Sequence, residues 1–100
     1  MAVSIILKDH IEYNNGSVVS KTLKQNPAGS ITLFAFDAGQ GLSEHSAPFD
    51  AVVQVIDGEG HFIIGRDEHV LKEGELIIIP ANVPHAVNAR KKFKMMLIMF

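Results

Sequence analysis

The sequence predicts an all-β fold, with many short strands forming a sandwich or a barrel. Short apolar segments alternate with Gly, Pro, Asn and Asp turn signals, and no window of helical length carries an apolar stripe of period 3.6. Val, Ile, Phe and Thr, which suit a pleated surface, are concentrated in those segments. With 100 residues and no linker or low-complexity stretch, residues 1–100 are expected to form a single domain.

Nine strands are predicted, each ending at a turn signal. In chain order they cover residues 3–7, 17–24, 30–36, 51–56, 61–64, 69–71, 75–79, 85–88 and 93–99. The intervening runs contain Asn-Gly, Asn-Pro, Asp-Gly and Glu-Gly pairs, which supply a positive or preset φ where the chain reverses. A helical turn is expected only at residues 9–13. Such regular spacing of short strands is typical of sandwiches and barrels.

Composition restricts the partners that this chain can bind. Nine Lys and Arg residues against eleven Asp and Glu give a net charge of −2, so no electrostatic footprint for nucleic acid or an anionic membrane is present. The absence of cysteine excludes disulfides, thiolate metal sites and cysteine nucleophiles. The apolar run at residues 3–7 is too short for a signal-peptide core. A cytoplasmic location is therefore expected.

The apolar composition also predicts a homodimer. Charged residues make up 20% of the chain and hydrophobic residues 47%, compared with about 25% charged residues in typical soluble domains. The tail at residues 93–100 has apolar residues at both odd and even positions, apart from Lys94. A strand there would need cover on both faces, and a second copy of the chain would supply it.

Residues 74–85 are the most specific candidate for a site. An apolar strand runs into a turn that contains Pro80 and Pro84 and ends at His85. Each proline fixes its own φ and biases the residue before it towards extended geometry, so the loop has few available shapes. A stiff loop of this kind is predicted to hold an imidazole at the rim of a barrel.

Residues 39–58 resemble the first conserved motif of the cupin superfamily, in which a glycine precedes two histidines, a glutamate and a second glycine. Gly39, His45 and Gly58 match that pattern, whereas Ala47 and Ala51 stand at the positions of the second histidine and the glutamate.

Residues 74–89 resemble the second cupin motif. Gly74, Pro80 and His85 match it, and Asn82 stands at the internal glycine. Asparagine is the residue after glycine that best tolerates left-handed geometry. The resemblance therefore implies a cupin-type jelly-roll β-barrel.

The same resemblance implies a metal site that is half complete. Metal-binding cupins typically use three histidines and one glutamate, of which this chain retains His45 and His85. Such ligands suit a divalent ion of iron, manganese, nickel, copper or zinc. Two imidazoles alone would hold an ion weakly, so both a loosely bound metal and a metal-free histidine pair remain open.

The alternation of side chains along the strands predicts a ligand pocket beside this site. If Ala51 points into the barrel, Val53 does too, and Gln54 lies on the outer face, where a hydrogen-bonded sheet or subunit contact is the alternative to a pocket role. Alanine at two ligand positions is expected to enlarge an apolar cavity. The candidate pocket residues are Ala47, Phe49, Ala51, Val53, Gln54, His61, Phe62 and His69. His61 and His69 share parity on strands joined by the Gly65 turn, so they are expected to face each other.

Two functions follow as hypotheses. The first is a small cupin that binds a small, partly apolar molecule in the barrel, with or without a weakly held divalent metal at His45 and His85. The alternative is a metal-dependent enzyme, such as a dioxygenase, isomerase or decarboxylase-like cupin, in which water or substrate completes the metal shell. The fold does not decide between binding and catalysis, because cupins perform both roles.

Overall fold

Nine β-strands form two antiparallel sheets in the structure, a computed structural model that describes residues 2–100. The strands are β1 (Val18–Asn26), β2 (Gly29–Phe36), β3 (Gly41–His45), β4 (Ala51–Asp57), β5 (Glu59–Ile64), β6 (Asp67–Lys72), β7 (Leu76–Ile79), β8 (His85–Asn88) and β9 (Phe93–Met99). The larger sheet has the order β1-β2-β9-β4-β7 and the smaller sheet the order β3-β8-β5-β6. The predicted all-β fold is confirmed.

An aromatic cluster joins the two sheets at the centre of the core. Phe36 and Phe93, from the larger sheet, stack with ring centroids 4.8 Å apart, and Phe62, from the smaller sheet, meets Phe93 edge to face at 6.0 Å. All three rings are fully buried. Gly60 makes room for them, since a Cβ atom there would lie 2.6 Å from the ring of Phe93. Rings in this arrangement add to the stabilisation that burial provides.

The alternation predicted for β4 is confirmed. Ala51, Val53 and Val55 point into the core and are at most 4% exposed, while Gln54 lies on the outer face. The core between the sheets therefore forms at the inward positions of each strand, as the period of two requires.

The structure differs from the sequence predictions at three places. Residues 3–7 form no strand, because no neighbouring strand of this chain pairs with them, and a short 3-10 helix at Leu7–Asp9 takes the place of the helical turn expected at 9–13. Strand β3 was missed because Ser43, Glu44 and His45 give it little apolar character. Its strand conformation comes from pairing with β8.

The N-terminal segment covers part of the outer face of the larger sheet. Ile11 packs with Leu33, Ala35 and Ile56 in a second buried cluster, against which Tyr13 is partly buried. The apolar outer side of β2, β4 and β9 is thus shielded in part by the chain itself. No helix in residues 2–100 has both the length and the apolar character needed to cross a bilayer.

Candidate functional site

Hydrogen bonds connect the loop that contains Pro80 and Pro84 to two other segments of the chain. Asn82 has a φ of 67°, the left-handed geometry expected at the glycine position of the motif, and its N–H donates to the carbonyl oxygen of Ala47 at 2.8 Å. The N–H of Ala81 donates to Oδ1 of Asp50 at 2.9 Å. The carbonyl oxygen of Pro84 accepts from the N–H of Gly65 at 2.7 Å. These bonds join the second motif to the first motif and to the β5–β6 turn.

His45 and His85 converge, as the resemblance implies. His45 ends β3, His85 begins β8, and the two residues are direct partners in the antiparallel pair. Their ring centroids are 4.3 Å apart with the planes at 63°. Residues 40 positions apart in sequence therefore form one imidazole pair. Strand pairing sets this distance, since directly opposed residues are close neighbours in an antiparallel ladder.

Backbone carbonyl groups select the same tautomer in both rings. Nδ1 of His45 lies 2.8 Å from the carbonyl oxygen of Ser43, and Nδ1 of His85 lies 2.9 Å from that of Val83. A carbonyl oxygen only accepts hydrogen bonds, so Nδ1 carries the hydrogen in each ring. In the neutral form Nε2 is then the nitrogen with a free lone pair. Among residues 2–100 neither Nε2 atom has a hydrogen-bond partner.

The histidine pair borders a small apolar cavity between the sheets. Its free volume is about 30 Å³, which is room for one or two water molecules. The apolar side chains that line it are Leu42, Val53, Phe62, Ile64, Ile79, Ala86, Val87, Met95 and Leu97. The cavity is apolar, as expected. It is small, however, so the enlargement expected from alanine at two ligand positions is absent. Bulky side chains, among them Leu42, Ile79 and Met95, line the small volume that is free.

Four of the eight predicted pocket residues lie at or near this cavity. Val53 and Phe62 line it directly. Ala51 is buried on the same inner face of β4, where it pairs with residues of β7 and β9. Ala47 lies in the loop that accepts the hydrogen bond from Asn82. The two alanines do flank the site, although neither borders the free volume.

Two further predicted pocket residues lie elsewhere. Phe49 is 53% exposed and borders a separate groove at the β1–β2 turn. Gln54 projects from the outer face of β4, where its Nε2 donates to the carbonyl oxygen of Gly74 at 3.3 Å. The sheet contact considered as the alternative for Gln54 is therefore the one observed.

The expectation that His61 and His69 face each other was wrong. The turn between β5 and β6 pairs His61 with Val70 and Phe62 with His69, so the two histidines lie on opposite faces of the smaller sheet. A two-residue hairpin loop pairs an odd-numbered residue with an even-numbered one. Two residues that are both odd-numbered, one on each strand, therefore lie on opposite faces of the sheet. His61 lies instead between two carboxylates, 3.3 Å from Glu59 and 3.9 Å from Glu68. His69 shares the inner face with Phe62 but does not border the cavity.

The residues present fit only part of a metal site. Two Nε2 lone pairs can occupy two coordination positions. In the part of the chain that the structure describes, no group of three His, Asp or Glu side chains is placed to hold a metal ion. Structural and catalytic sites use three or four protein ligands. Any ion bound here would take its remaining ligands from water or from another molecule.

Several site residues were not identified from the sequence. Leu42, Ile64 and Leu97 line the cavity, and Asp50 braces the loop. A period-two pattern was available for Ile64, which shares parity with Phe62, and for Leu97, which shares parity with Phe93. No local signal indicated Leu42, because strand β3 was itself missed.

Comparison with known proteins agrees with this architecture. A family model described as a cupin domain matches residues 32–100. A conserved protein of unknown function from Streptococcus pyogenes is 32% identical, with a TM-score of 0.92 over 99% of this chain and 87% of that chain. A cupin superfamily protein from Desulfitobacterium hafniense is 26% identical, with a TM-score of 0.93 over 100% of this chain and 92% of its own.

Another similar structure is a cupin 2 conserved barrel domain protein from Leptotrichia buccalis. It is 41% identical with a TM-score of 0.89, and the match covers 93% of this chain but 45% of that one. A search of curated proteins finds no match. The family model covers more than half of the residues and includes both motifs that bring His45 and His85 together. The chain belongs to the cupin family.

Proposed function

We propose that this cupin binds a small, partly apolar molecule at the His45–His85 pair. The observation that carries the proposal is the shared tautomer of the two rings, whose Nδ1 atoms are both bound to backbone carbonyl groups. Each ring is held in one orientation, and each retains a free Nε2 at the edge of an apolar cavity. A polar end beside an apolar interior is the usual layout of a small-molecule site.

The chemistry of the pair defines the polar end of the ligand. A neutral ring whose Nδ1 is occupied can only accept a hydrogen bond at Nε2. Two such acceptors with ring centroids 4.3 Å apart suit a hydroxyl, amine or amide N–H group. The first hypothesis therefore narrows to ligands with a hydrogen-bond donor next to their apolar part.

The cavity limits the size of that apolar part. A free volume of about 30 Å³ admits a methyl-sized group and little more. Drug-sized ligands occupy pockets of about 300–1,000 Å³. The rest of a larger ligand would have to remain at the cavity mouth, where His45 is exposed. A compact alcohol or amine, or a larger molecule with one short alkyl end, is the matching class.

A divalent metal ion is a second species that the same two nitrogen atoms can bind. Its affinity would be low, since two protein ligands are fewer than the three or four of ordinary sites. A bound transition metal would act as a Lewis acid towards the small molecule. The proposal does not depend on it, because the imidazole pair can bind a donor group without an ion.

The enzyme alternative has one observation in its favour. Histidines from two separate motifs converge to a 4.3 Å ring separation, and their supporting carbonyl contacts are intact. An arrangement of this kind is what a metal-dependent cupin needs from these two residues. Stoichiometric transition metal in protein purified without chelators would favour the enzyme over the binding protein.

The proposal can be tested by NMR titration with 1-propanol. A ligand of four heavy atoms is limited to roughly −6 kcal/mol, a Kd no tighter than about 40 μM, and we expect a value weaker than this ceiling, in the millimolar range. Chemical-shift changes should appear at the His45 and His85 ring nitrogens and at the Val53 methyl groups. Glycerol, which has hydroxyl groups but no alkyl end, is the matched polar control and should produce no saturable change.

Two variants separate a specific site from nonspecific binding. His85→Ala should remove the saturable shifts, whereas His10→Ala, which changes a histidine outside the site, should retain them. Repeating the titration after treatment with a chelator shows whether a metal takes part. The proposal is refuted if 1-propanol leaves both ring nitrogens unchanged, or if His85→Ala binds as well as the original chain.

A further inference from the structure

A row of side chains crosses the inner face of the smaller sheet at the mouth of the cavity. His45 pairs with His85, His85 with Ile64, and Ile64 with Asp67, so the row runs in register across β3, β8, β5 and β6. Directly opposed residues of antiparallel strands point to the same face of a sheet. His45, His85 and Ile64 all border the cavity, so Asp67 stands on the cavity side as well. We call these four residues the mouth row.

Asp67 is the polar residue at the far end of the mouth row. It is exposed at the start of edge strand β6, and Ile64 separates it from His85. Among residues 2–100 its carboxylate takes part in no ion pair, although Arg66 precedes it in the chain. The mouth row therefore has the imidazole pair at one end, a carboxylate at the other end and an apolar side chain between them.

The charged side chains around the mouth favour a cation. Glu44 is exposed on β3 beside the imidazole pair, and Asp50 lies in the loop that connects β3 to β4. Together with Asp67 they place three carboxylates on the segments around the mouth row, against the one guanidinium group of Arg66. The side chains that the larger sheet contributes to the cavity are all apolar. A cleft whose charges are mostly of one sign attracts ligands of the opposite sign.

The spacing of the mouth row sets the length of a ligand that reaches both of its ends. Strand β5 lies between β8 and β6, and neighbouring strands are about 4.8 Å apart, so the backbone positions of His85 and Asp67 are separated by about 10 Å. A hydrogen bond of about 2.9 Å at each end leaves roughly 4–6 Å between the two polar groups of the ligand, a span of about three or four carbon atoms. Such a chain would pass over Ile64.

We propose that the ligand of this site is a short linear amine that carries a hydroxyl group at its other end, and that Asp67 selects it by its charge. The inference rests on the proposed function, since one of its two contacts is the histidine pair. The hydroxyl group donates to the free Nε2 atoms of His45 and His85. The carbon chain covers Ile64 at the cavity mouth, and the ammonium group binds the carboxylate of Asp67.

The contact at Asp67 contributes selectivity more than affinity. A primary amine resembles the lysine side chain, whose ordinary pKa of about 10.4 keeps it charged at neutral pH. A hydrogen bond between an ammonium group and a carboxylate is stronger than one between neutral groups. Because Asp67 is exposed, however, water and salt screen this bond. We therefore expect a modest preference for the cation, which salt should reduce.

NMR titration with a matched pair of ligands tests the inference. 4-Amino-1-butanol and 1,4-butanediol are equal in length, but only the first carries a charge. At low ionic strength the amino alcohol should bind at least about threefold more tightly, and the preference should decrease in about 0.5 M sodium chloride. Asp67→Asn keeps the shape of the side chain and should abolish the preference. Glu68→Gln is the matched control, because Glu68 is the next carboxylate on the same strand but faces the other side of the sheet, and it should retain the preference.

The possible results separate this inference from the proposed function. Equal affinity for the two ligands refutes the role of Asp67, as does a preference that Asp67→Asn retains or that Glu68→Gln loses equally. If 1-propanol shifts the ring nitrogens of His45 and His85 but 4-amino-1-butanol does not, the inference fails and binding at the histidine pair stands. If neither ligand shifts them, both fail. Both substituted side chains are exposed, and circular dichroism shows whether each variant is folded.

Discussion

Removing the hydroxyl group of Tyr13 should loosen the N-terminal segment from the sheet that it covers. The Tyr13 hydroxyl donates to Oδ2 of Asp57 at 2.7 Å, across 44 positions of sequence. The ammonium groups of Lys92 and Lys94 lie 5.1 and 4.8 Å from the ring centroid, and Lys94 also donates to the carbonyl oxygen of Lys8. Tyr13→Phe keeps the ring and its cation contacts and deletes only the hydrogen bond.

The size of the effect follows from that one bond. A hydrogen bond to a charged group contributes about 1.5–3 kcal/mol, and partial exposure of Tyr13 brings the expected loss to about 1–2 kcal/mol. In a domain of this length each kcal/mol moves the Tm by about 4–8 °C, so we expect a decrease of roughly 5–15 °C. Urea unfolding at neutral pH measures the free energy of unfolding directly.

The same contact makes a prediction about alkaline stability. Burial, followed by the hydrogen bond and the negative charge of Asp57, raises the pKa of Tyr13 well above its ordinary value of 10.0. A raised pKa in the folded state means that the stabilisation is fully present below the unfolded pKa of about 10 and is lost as the pH rises above it. The stability difference between the original chain and Tyr13→Phe should therefore narrow as the pH rises above that value.

The composition of the chain allows a direct assay. Tyr13 is the one tyrosine and there is no tryptophan, so the near-ultraviolet absorbance of tyrosinate reports this residue alone. We expect ionisation near pH 10 in urea and at a higher pH in the folded protein. Asp57→Asn is the matched control, which keeps a side-chain oxygen but removes the charge and should lower the folded pKa. Tyrosinate formation near pH 10 in a fully folded protein would contradict the reasoning, as would unchanged stability in Tyr13→Phe.

Two other substitutions test the loop and the cavity. Asn82→Ala should cost about 1–2 kcal/mol, because alanine tolerates a φ of 67° poorly, whereas Asn82→Gly should be close to neutral; thermal unfolding of both variants distinguishes left-handed strain from loss of the side chain. Val53→Ala removes two carbon groups from a side chain that is 3% exposed, so it should lower the free energy of unfolding by about 2 kcal/mol. If Val53 limits the cavity, this variant should also bind 1-butanol more tightly than the original chain does, and equal affinity would show that other residues set the limit.

Much of the fold could be predicted because its signals are local. Seven of the strands predicted from turn residues and β-branched runs overlap β1, β2, β4, β5, β6, β7 and β8, and the strand at 93–99 matches β9. Once the resemblance placed Ala51 inside the barrel, the other inward positions on β4 followed from the alternation of side chains along a strand. The positive φ of Asn82 was expected from its place in the second motif.

The remaining features depend on contacts between distant residues. His61 and His69 lie on opposite faces because of the β5–β6 register, which parity within one strand does not determine. Strand β3 exists because β8 pairs with it, although its own residues are mostly polar. Residues 3–7 form no strand for the opposite reason. Their composition favours a strand, but no neighbouring strand of the chain pairs with them.

For the site, the resemblance of the two motifs to those of cupins singled out His45 and His85 and implied that the ligand set around them is incomplete. Motif spacing and residue identity carry that resemblance, and both are properties of the chain itself. The ring separation of 4.3 Å, the shared tautomer and the cavity of about 30 Å³ came only from the folded molecule. Each of these depends on strand register and side-chain packing, and residues far apart in sequence set both.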